Sequence, residues 1–442
     1  MKSFYSLCSK KWFWLKERLV HSHLEDSWNE SGGLDQASRE DVVRIRDGKL
    51  RRVLVHAAKT VPYYVEYFRS RGIRAEDVKL DDFPIMGKAD YRGHEGDFIS
   101  SEFKPSSLWR SRTSGSTGEP FTFYKSSSAF DYTYANLWRG LLRFNIRPGD
   151  RRAFIKGVFE SATPSRKERL KLWLTGLFNR CIFIDAHFLA VSEKNVERAL
   201  ARILRCKPGY FHGYASTIYQ LAQYVESHGI DVSRLHLTAI VTESEKCHDF
   251  QREVMERVFK APVVENYGCV EVGMIAQPAK DGKLCVNEDN VYVEATDEGE
   301  AVYTTLNEFG YPLIRFKNGD MIKIGEVHSL LPYRTIAELD GRKTEMIKLP
   351  QGGALHGFIP MYPISKHSKW MRAYQIYQPE IDRMVIRIVL IQGCLPDEIR
   401  AQMLKEMREI VGEAMRIEFE FPSEIPLSKR GKRLFICSDV KD

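Results

Sequence analysis

The feature that most limits what this chain can fold into is a change of pattern that repeats between Arg152 and Phe259. Short apolar runs of strand character fall at Arg152 to Val158, Cys181 to Ile184 and Leu237 to Thr242. Between and after them, apolar residues recur at helical spacing over Arg166 to Phe178, Asn195 to Cys206, Ser216 to Ser227 and His248 to Phe259. Alternation of this kind predicts an α/β domain with a substantial sheet. The helix expected over Arg166 to Phe178 is basic and amphipathic, with Leu170, Trp173, Leu174 and Leu177 on one face. Such a stripe could dock a partner or a membrane, but the reading preferred here is that it faces the core.

The pattern changes on either side of this region. From Val263 to Ile324 the sequence reads mostly as strands: Leu284 to Val286, Val291 to Ala295, Ala301 to Thr305 and Met321 to Ile324. The final hundred residues read as a compact α+β module. Its strands are Tyr374 to Gln378, Val385 to Ile391, Met415 to Phe421 and Leu434 to Ser438, with a helix over Pro396 to Val411. At 442 residues the chain exceeds the size at which one core keeps growing. We therefore expect a large domain of mixed sheets and helices over 1–340 and a small α+β domain over 341–442. Toward the N-terminus, residues 20–40 read as loose. A helix follows from Arg44, with Leu50, Val53, Leu54 and Ala57 on one face. Val61-Pro62-Tyr63-Tyr64 interrupts it before a second helix to about Gly72. Ser128 reads as the N-cap of a helix bearing Phe130, Tyr134, Leu137 and Leu141.

Composition excludes some classes. The net charge of +7 is dispersed, and no nucleic-acid-binding motif accompanies it. The 8 cysteines are scattered without metal-ligand spacing. Met1 to Leu19 is aromatic and basic but has neither a spanning apolar run nor a cleavage site, so a cytoplasmic protein with free thiols is expected.

Five stretches carry chemistry. The first is Thr113-Ser114-Gly115-Ser116-Thr117-Gly118-Glu119-Pro120, a loop between two strands. Its hydroxyls and glycine-freed backbone N–H groups suit an anion. It lacks the Gly-Lys-Ser/Thr ending of a Walker loop. The second, Glu265-Asn266-Tyr267-Gly268-Cys269-Val270-Glu271, follows an apolar strand. It offers an amide, a flat ring and a carboxylate of the kind magnesium prefers. The third and fourth, Asn318-Gly319-Asp320 and Asp340-Gly341-Arg342, offer a carboxylate for ribose hydroxyls and a guanidinium for phosphate or ribose. The fifth, Ser428-Lys429-Arg430-Gly431-Lys432-Arg433, is a basic run with a lysine on a glycine turn. Singly, each stretch also suits an ordinary turn.

In order and spacing, these five stretches resemble the adenylate-forming ligases, which include acyl-CoA synthetases and peptide-synthetase adenylation domains. The chain looks most like their phenylacetate–CoA ligase and capsular-polysaccharide branch. Val61-Pro62-Tyr63-Tyr64, Pro84-Ile85-Met86-Gly87-Lys88 and Gln375-Ile376-Tyr377-Gln378 are similar to further signatures of that branch. The resemblance implies an AMP-forming ligase that uses ATP and Mg2+ to activate a carboxylic acid. The acyl group would then pass to CoA, a carrier-protein thiol or an amine, and the pathway could be polysaccharide or secondary-metabolite biosynthesis. It further implies that Thr113, Ser114, Gly115, Ser116, Thr117 and Gly118 hold the ATP phosphates. Asn266, Tyr267 and Gly268 would contact adenine, Glu271 would bind magnesium, Asp320 would take the ribose, and Arg342 would lie nearby. Lys432 would be the catalytic lysine of a mobile small domain, with Glu345 as its hinge where relatives usually carry aspartate. Tyr214 and Ser216 would border the acyl pocket, while His212 suits a core position as well as a pocket one. The Gln277-Pro278-Ala279 segment lacks the Cys/His pair that holds zinc in some relatives, so no zinc is expected. Two other outcomes stay open: transfer of AMP itself to a hydroxyl, and a degenerate, non-catalytic ligase-like binding protein.

Overall fold

The computed structural model describes residues 15, 17, 20, 23–113, 121–156, 166–186, 193–342, 346–352, 354–356, 358–365, 367, 370–391, 393–426 and 434–440.

The stretch expected to be loose holds a helix, α1 (Leu24–Ser31). Apolar periodicity does not announce it because its attachment is polar. The His23 N–H donates to Asp131 Oδ2 at 2.9 Å. The Ser31 carbonyl accepts from Arg139 Nη1 at 3.0 Å. Arg139 is itself buried, and its Nη2 reaches Asp289 Oδ1 at 2.8 Å and Asn287 Oδ1 at 3.0 Å. A guanidinium can be buried here because its planar fork finds a carboxylate and carbonyl oxygens together. Next comes α2 (Arg39–Thr60), capped by Ser38, whose Oγ accepts from the Asp41 N–H at 3.1 Å. Pro62 ends it and opens α3 (Pro62–Arg69).

Strands β1 (Trp109–Thr113) and β2 (Phe121–Lys125) pair antiparallel on either side of the hydroxyl-glycine loop. Then comes α4 (Ser127–Arg143). Its cap is Ser126, two residues before the serine the sequence suggested, with Oγ accepting from the Ala129 N–H at 3.3 Å.

The alternating region builds the parallel half of a large sheet. Its strands are β3 (Arg152–Lys156), β4 (Cys181–Asp185), β5 (Tyr210–Gly213), β6 (Ala239–Glu243) and β7 (Val263–Cys269), in spatial order β4-β3-β5-β6-β7. Helices α5 (Arg166–Phe178), α6 (Glu193–Cys206), α7 (Ala215–Ser227) and α8 (Asp249–Phe259) lie between the strands in sequence. Strand β5 has no counterpart in the sequence reading. All four of its residues are buried, so it shows no alternation to read. Helix α5 departs from expectation. Leu170, Trp173, Leu174 and Leu177 are exposed, and it is Gly176 that packs close to the edge strand β4.

From β7 the sheet turns antiparallel through β8 (Gly273–Pro278), β9 (Leu284–Val286), β10 (Val291–Ala295), β11 (Glu300–Thr305), β12 (Phe316–Val327) and β13 (Arg334–Arg342). This half runs β7-β8-β9-β13-β12-β11-β10. A second sheet, ordered β16-β15-β14-β17, is formed by β14 (Met371–Glu380), β15 (Arg383–Leu390), β16 (Arg416–Glu420) and β17 (Ile436–Ser438). With α9 (Asp397–Val411) it encloses its own apolar cluster around Ile376, Ile386, Met403 and Met407. The fold is α/β with a large mixed sheet and a small C-terminal α+β unit, the class that the alternation predicts.

Candidate active site

In the parallel half, β3 is followed in sequence by β4 on one side and sits beside β5 on the other, so the direction of winding reverses between β3 and β5. In α/β sheets such a reversal of strand order marks a crevice at the carboxyl ends of the two strands. Three charged or polar side chains meet there. Lys156, at the end of β3, donates to the Glu243 carboxylate at the end of β6. On β5, His212 places Nε2 3.1 Å from Glu243 Oε2. Burial opposes the Glu243 charge, but the hydrogen bond from His212 and the ammonium of Lys156 outweigh it and hold the carboxyl well below its usual range. Burial lowers the His212 pKa, so the imidazole is held toward its neutral form. Gly213 lies so near β3 that a Cβ there would stand 1.9 Å from the Ile155 carbonyl oxygen.

Tyr214 and Ser216 follow directly. Tyr214 is the residue before α7, and Lys156 Nζ sits 5.0 Å from its ring centroid. The Ser216 N–H, in the first turn of α7, donates to Glu245 Oε2 at 3.1 Å. Ser216 also borders a cleft with Tyr219, Met371, Tyr374 and Phe435, between α7 and the small sheet.

A second group gathers at the end of β7. Tyr267 is buried, and its hydroxyl donates to Asp320 Oδ2 at 2.7 Å and also meets the Tyr303 hydroxyl. Burial, then the Asp320 charge, pushes the Tyr267 phenol well above its ordinary range, which keeps it a donor. Asn318 Nδ2 donates to the same Asp320 oxygen at 2.8 Å, and its Oδ1 accepts from the Asp320 N–H at 3.0 Å. Gly319 between them has φ +87°, which glycine adopts without penalty. Asp320 stands opposite Arg342 in the β12–β13 register, so the third and fourth sequence stretches are neighbours. Asn266 is buried, and neither of its amide atoms has a partner among the described residues. Such a group is expensive unless something else satisfies it.

Glu271 is buried in the turn between β7 and β8, and Lys88 Nζ lies 2.7 Å from its Oε1. It lines a cavity with Lys125, Asn290, Thr305, Asn307 and Glu308. Burial lowers the Lys125 pKa, against the pull of Cys269, Glu308 and Glu271. No group of three or more His, Cys, Asp or Glu side chains suited to a metal occurs among the described residues. The donor set therefore fits magnesium in one way, by a single carboxylate completed by phosphate oxygens.

The structure thus brings Asn266, Tyr267, Gly268, Glu271 and Asp320 together, with Arg342 opposite Asp320. It sets Tyr214 and Ser216 at the neighbouring strand ends. Thr113 ends β1, while Ser114, Gly115, Ser116, Thr117, Gly118, Glu345 and Lys432 lie outside the described residues. Sequence reading gave no role to Lys88, Lys125, Lys156 or Glu243. A charged residue closing a buried strand, as Lys156 and Glu243 do, is a signal that could have found two of them.

Comparison with known proteins adds to this geometry. Residues 351–439 match the CapK C-terminal domain family. The chain is 20% identical to Protein CapK of Staphylococcus aureus over 414 residues, covering 91% of this chain and 90% of that protein. It is 25% identical to the phenylacetate-coenzyme A ligase of Aromatoleum evansii over 343 residues, covering 71% and 73%. Its fold is that of 2-hydroxyisobutyryl-CoA ligase, solved in the postadenylation state with R3-HIB-AMP. The TM-score is 0.72 at 18% identity, covering 92% of this chain and 91% of that one.

Proposed function

We propose that this chain, a member of the adenylate-forming superfamily in the branch of CapK and the phenylacetate–CoA ligases, is an AMP-forming ligase. It would activate a carboxylic acid with ATP and pass the acyl group to a thiol such as CoA or to an amine. The observation that carries the reading is the set of polar groups on and beside β7. Asn266 offers an unpaired buried amide, and Asp320 is oriented by Tyr267 and Asn318. An adenine amine and a ribose diol need those two groups, in that order.

In this reading a carboxylate oxygen attacks the α-phosphorus of ATP, the bond to the β-phosphate bridge breaks, and pyrophosphate leaves. Negative charge gathers on the transferring group, so fixed cations and donors carry most of the catalysis. Thr113 to Gly118 would hold the phosphates, and Lys432 would bridge carboxylate and α-phosphate. Magnesium, held by Glu271 and phosphate oxygens, would supply further positive charge. Lys88 Nζ, 2.7 Å from Glu271 Oε1, would help to position that carboxylate. Arg342 and Asp320 would fix the ribose, and Tyr214 and Ser216 would border the acid. The division into 1–340 and 341–442, with Glu345 as hinge, would let the small domain leave once the adenylate has formed. A role in polysaccharide biosynthesis would fit the similarity to CapK.

The test is a panel of carboxylic acids incubated with ATP, Mg2+ and hydroxylamine. Acid-dependent hydroxamate with equimolar AMP and pyrophosphate is expected. ADP as the nucleotide product would overturn the reading.

A further inference from the structure

Helix α5 presents an apolar surface that nothing in the large sheet covers. Leu170 is 57% exposed, Trp173 54%, Leu177 57% and Phe178 55%, with Leu174 at 43%. Residues 170, 173, 174 and 177 fall on one helical face, and Phe178 adjoins it. The helix is fastened by its other side. Gly176 is buried, and a Cβ there would stand 2.6 Å from the Cys181 carbonyl oxygen. The exposed stripe therefore belongs to a helix that is docked on β4, with its greasy side outward. Single exposed apolar residues are ordinary, but five within nine residues form a contiguous patch.

The charge around the patch is mainly positive, with Glu168 on the helix and Asp150 near Arg180 as the acids. The helix sequence carries Arg166, Lys167, Arg169 and Lys171 against Glu168 alone. Lys167 and Lys171 are exposed. Arg180 closes the far end, its N–H donating to the Leu177 carbonyl at 3.3 Å. Partial burial, then the cation of Arg151, lowers the Arg180 pKa, which places a second arginine close by. Two copies joined through this face by a twofold axis would set this cationic rim against itself. A surface with negative charge over an apolar layer complements it. The helix has 13 residues; at about 1.5 Å each it reaches roughly 20 Å, short of a bilayer core of about 30 Å. It suits lying in the interface, not crossing.

We propose that α5 is a membrane-surface docking helix, seating Leu170, Trp173, Leu174, Leu177 and Phe178 in the interface of an anionic bilayer with Lys167, Lys171 and Arg180 at its headgroups. Burial of the apolar face and attraction of the cations act together in such helices.

The full chain should co-sediment with vesicles of phosphatidylglycerol and phosphatidylcholine in equal parts, and about tenfold less with phosphatidylcholine alone. The double substitution Trp173→Ser/Leu177→Ser should lower binding to the anionic vesicles by about tenfold or more. Lys167→Glu/Lys171→Glu should do the same without touching the apolar stripe, which keeps the test valid if the first variant folds poorly. Equal binding by the wild type and a folded variant of either kind would overturn the proposal. So would a concentration-dependent dimer in sedimentation velocity that Trp173→Ser/Leu177→Ser dissolves.

Discussion

Asn266 pulls stability and binding in opposite directions. It is 4% exposed, with both amide atoms unpartnered among the described residues, at the last position where β7 pairs with β6 and beside Tyr267, whose hydroxyl is bonded to Asp320. A buried amide without partners costs roughly 1–3 kcal/mol by mutational measures. Leucine has nearly the same shape and no such penalty. Asn266→Leu should therefore leave the urea midpoint unchanged or higher while raising the KM for ATP about tenfold, equivalent to ~1.4 kcal/mol. A loss of stability of about 2 kcal/mol or more would mean that the amide has a structural partner, and the adenine role would go with it. The residue types at this site were legible in the sequence because an amide, an aromatic, a carboxylate and a glycine turn are unusual together after an apolar strand. Their bonds were not. Nothing in Tyr267-Gly268 signals that the phenol reaches 53 residues along the chain to orient Asp320. Lys88 likewise lies in a stretch noted for its pattern, yet its pairing with Glu271 needs the fold.

At the scale of elements, sequence reading succeeded where periodicity records burial and failed where other forces hold the element. Helices α6 and α8 bury one face, and the pattern shows it. Helix α1 is held by Asp131 and Arg139 through backbone groups, which leave no trace in hydropathy. Strand β13 reads as polar because Arg334 and Glu338 interrupt it; Arg334 turns to Glu288 and Glu338 pairs with Lys323 across the strand pair. Helix α5 has the right period but the opposite orientation, since a stripe reports amphipathicity and not which phase it faces. Strand β5 contributes a close backbone approach at Gly213. A methyl group at residue 213 would overlap the Ile155 carbonyl at 1.9 Å, and backbone on both sides cannot rotate away as a side chain could. Gly213→Ala should thus separate β3 from β5 at the crevice and destabilise by ~3 kcal/mol or more. Equilibrium unfolding in urea measures this, and a change under about 1 kcal/mol would show that the two strands part easily there.

The whole molecule holds a large mixed sheet and a small sheet of four strands. The small sheet has its own core of Ile376, Ile386, Met403 and Met407. It meets the large sheet's helices through a few rings: Phe435 stands 5.9 Å from His248, and Tyr374 6.4 Å from Phe250. A unit with a core of its own can turn as a body without unfolding, which is what the proposed division at residue 340 requires. That arrangement gives the proposed two-step reaction a physical basis. In that reaction the lysine at 432 would serve while charge builds on the α-phosphate, and its place would be vacated for the nucleophile that follows. The two half-reactions should then separate under mutation. Lys432→Ala should reduce acid-dependent ATP–pyrophosphate exchange by about 10²–10³-fold, the usual consequence of removing one donor to a developing oxyanion, ~2.7–4 kcal/mol. Transfer from a chemically prepared acyl adenylate to the thiol or amine should stay within about threefold of wild type, because that step no longer builds charge at the phosphate. Equal losses in both steps would mean that Lys432 supports the fold or binds the nucleotide throughout. In that case the alternation of the small domain around residue 345 would lose its chemical reason.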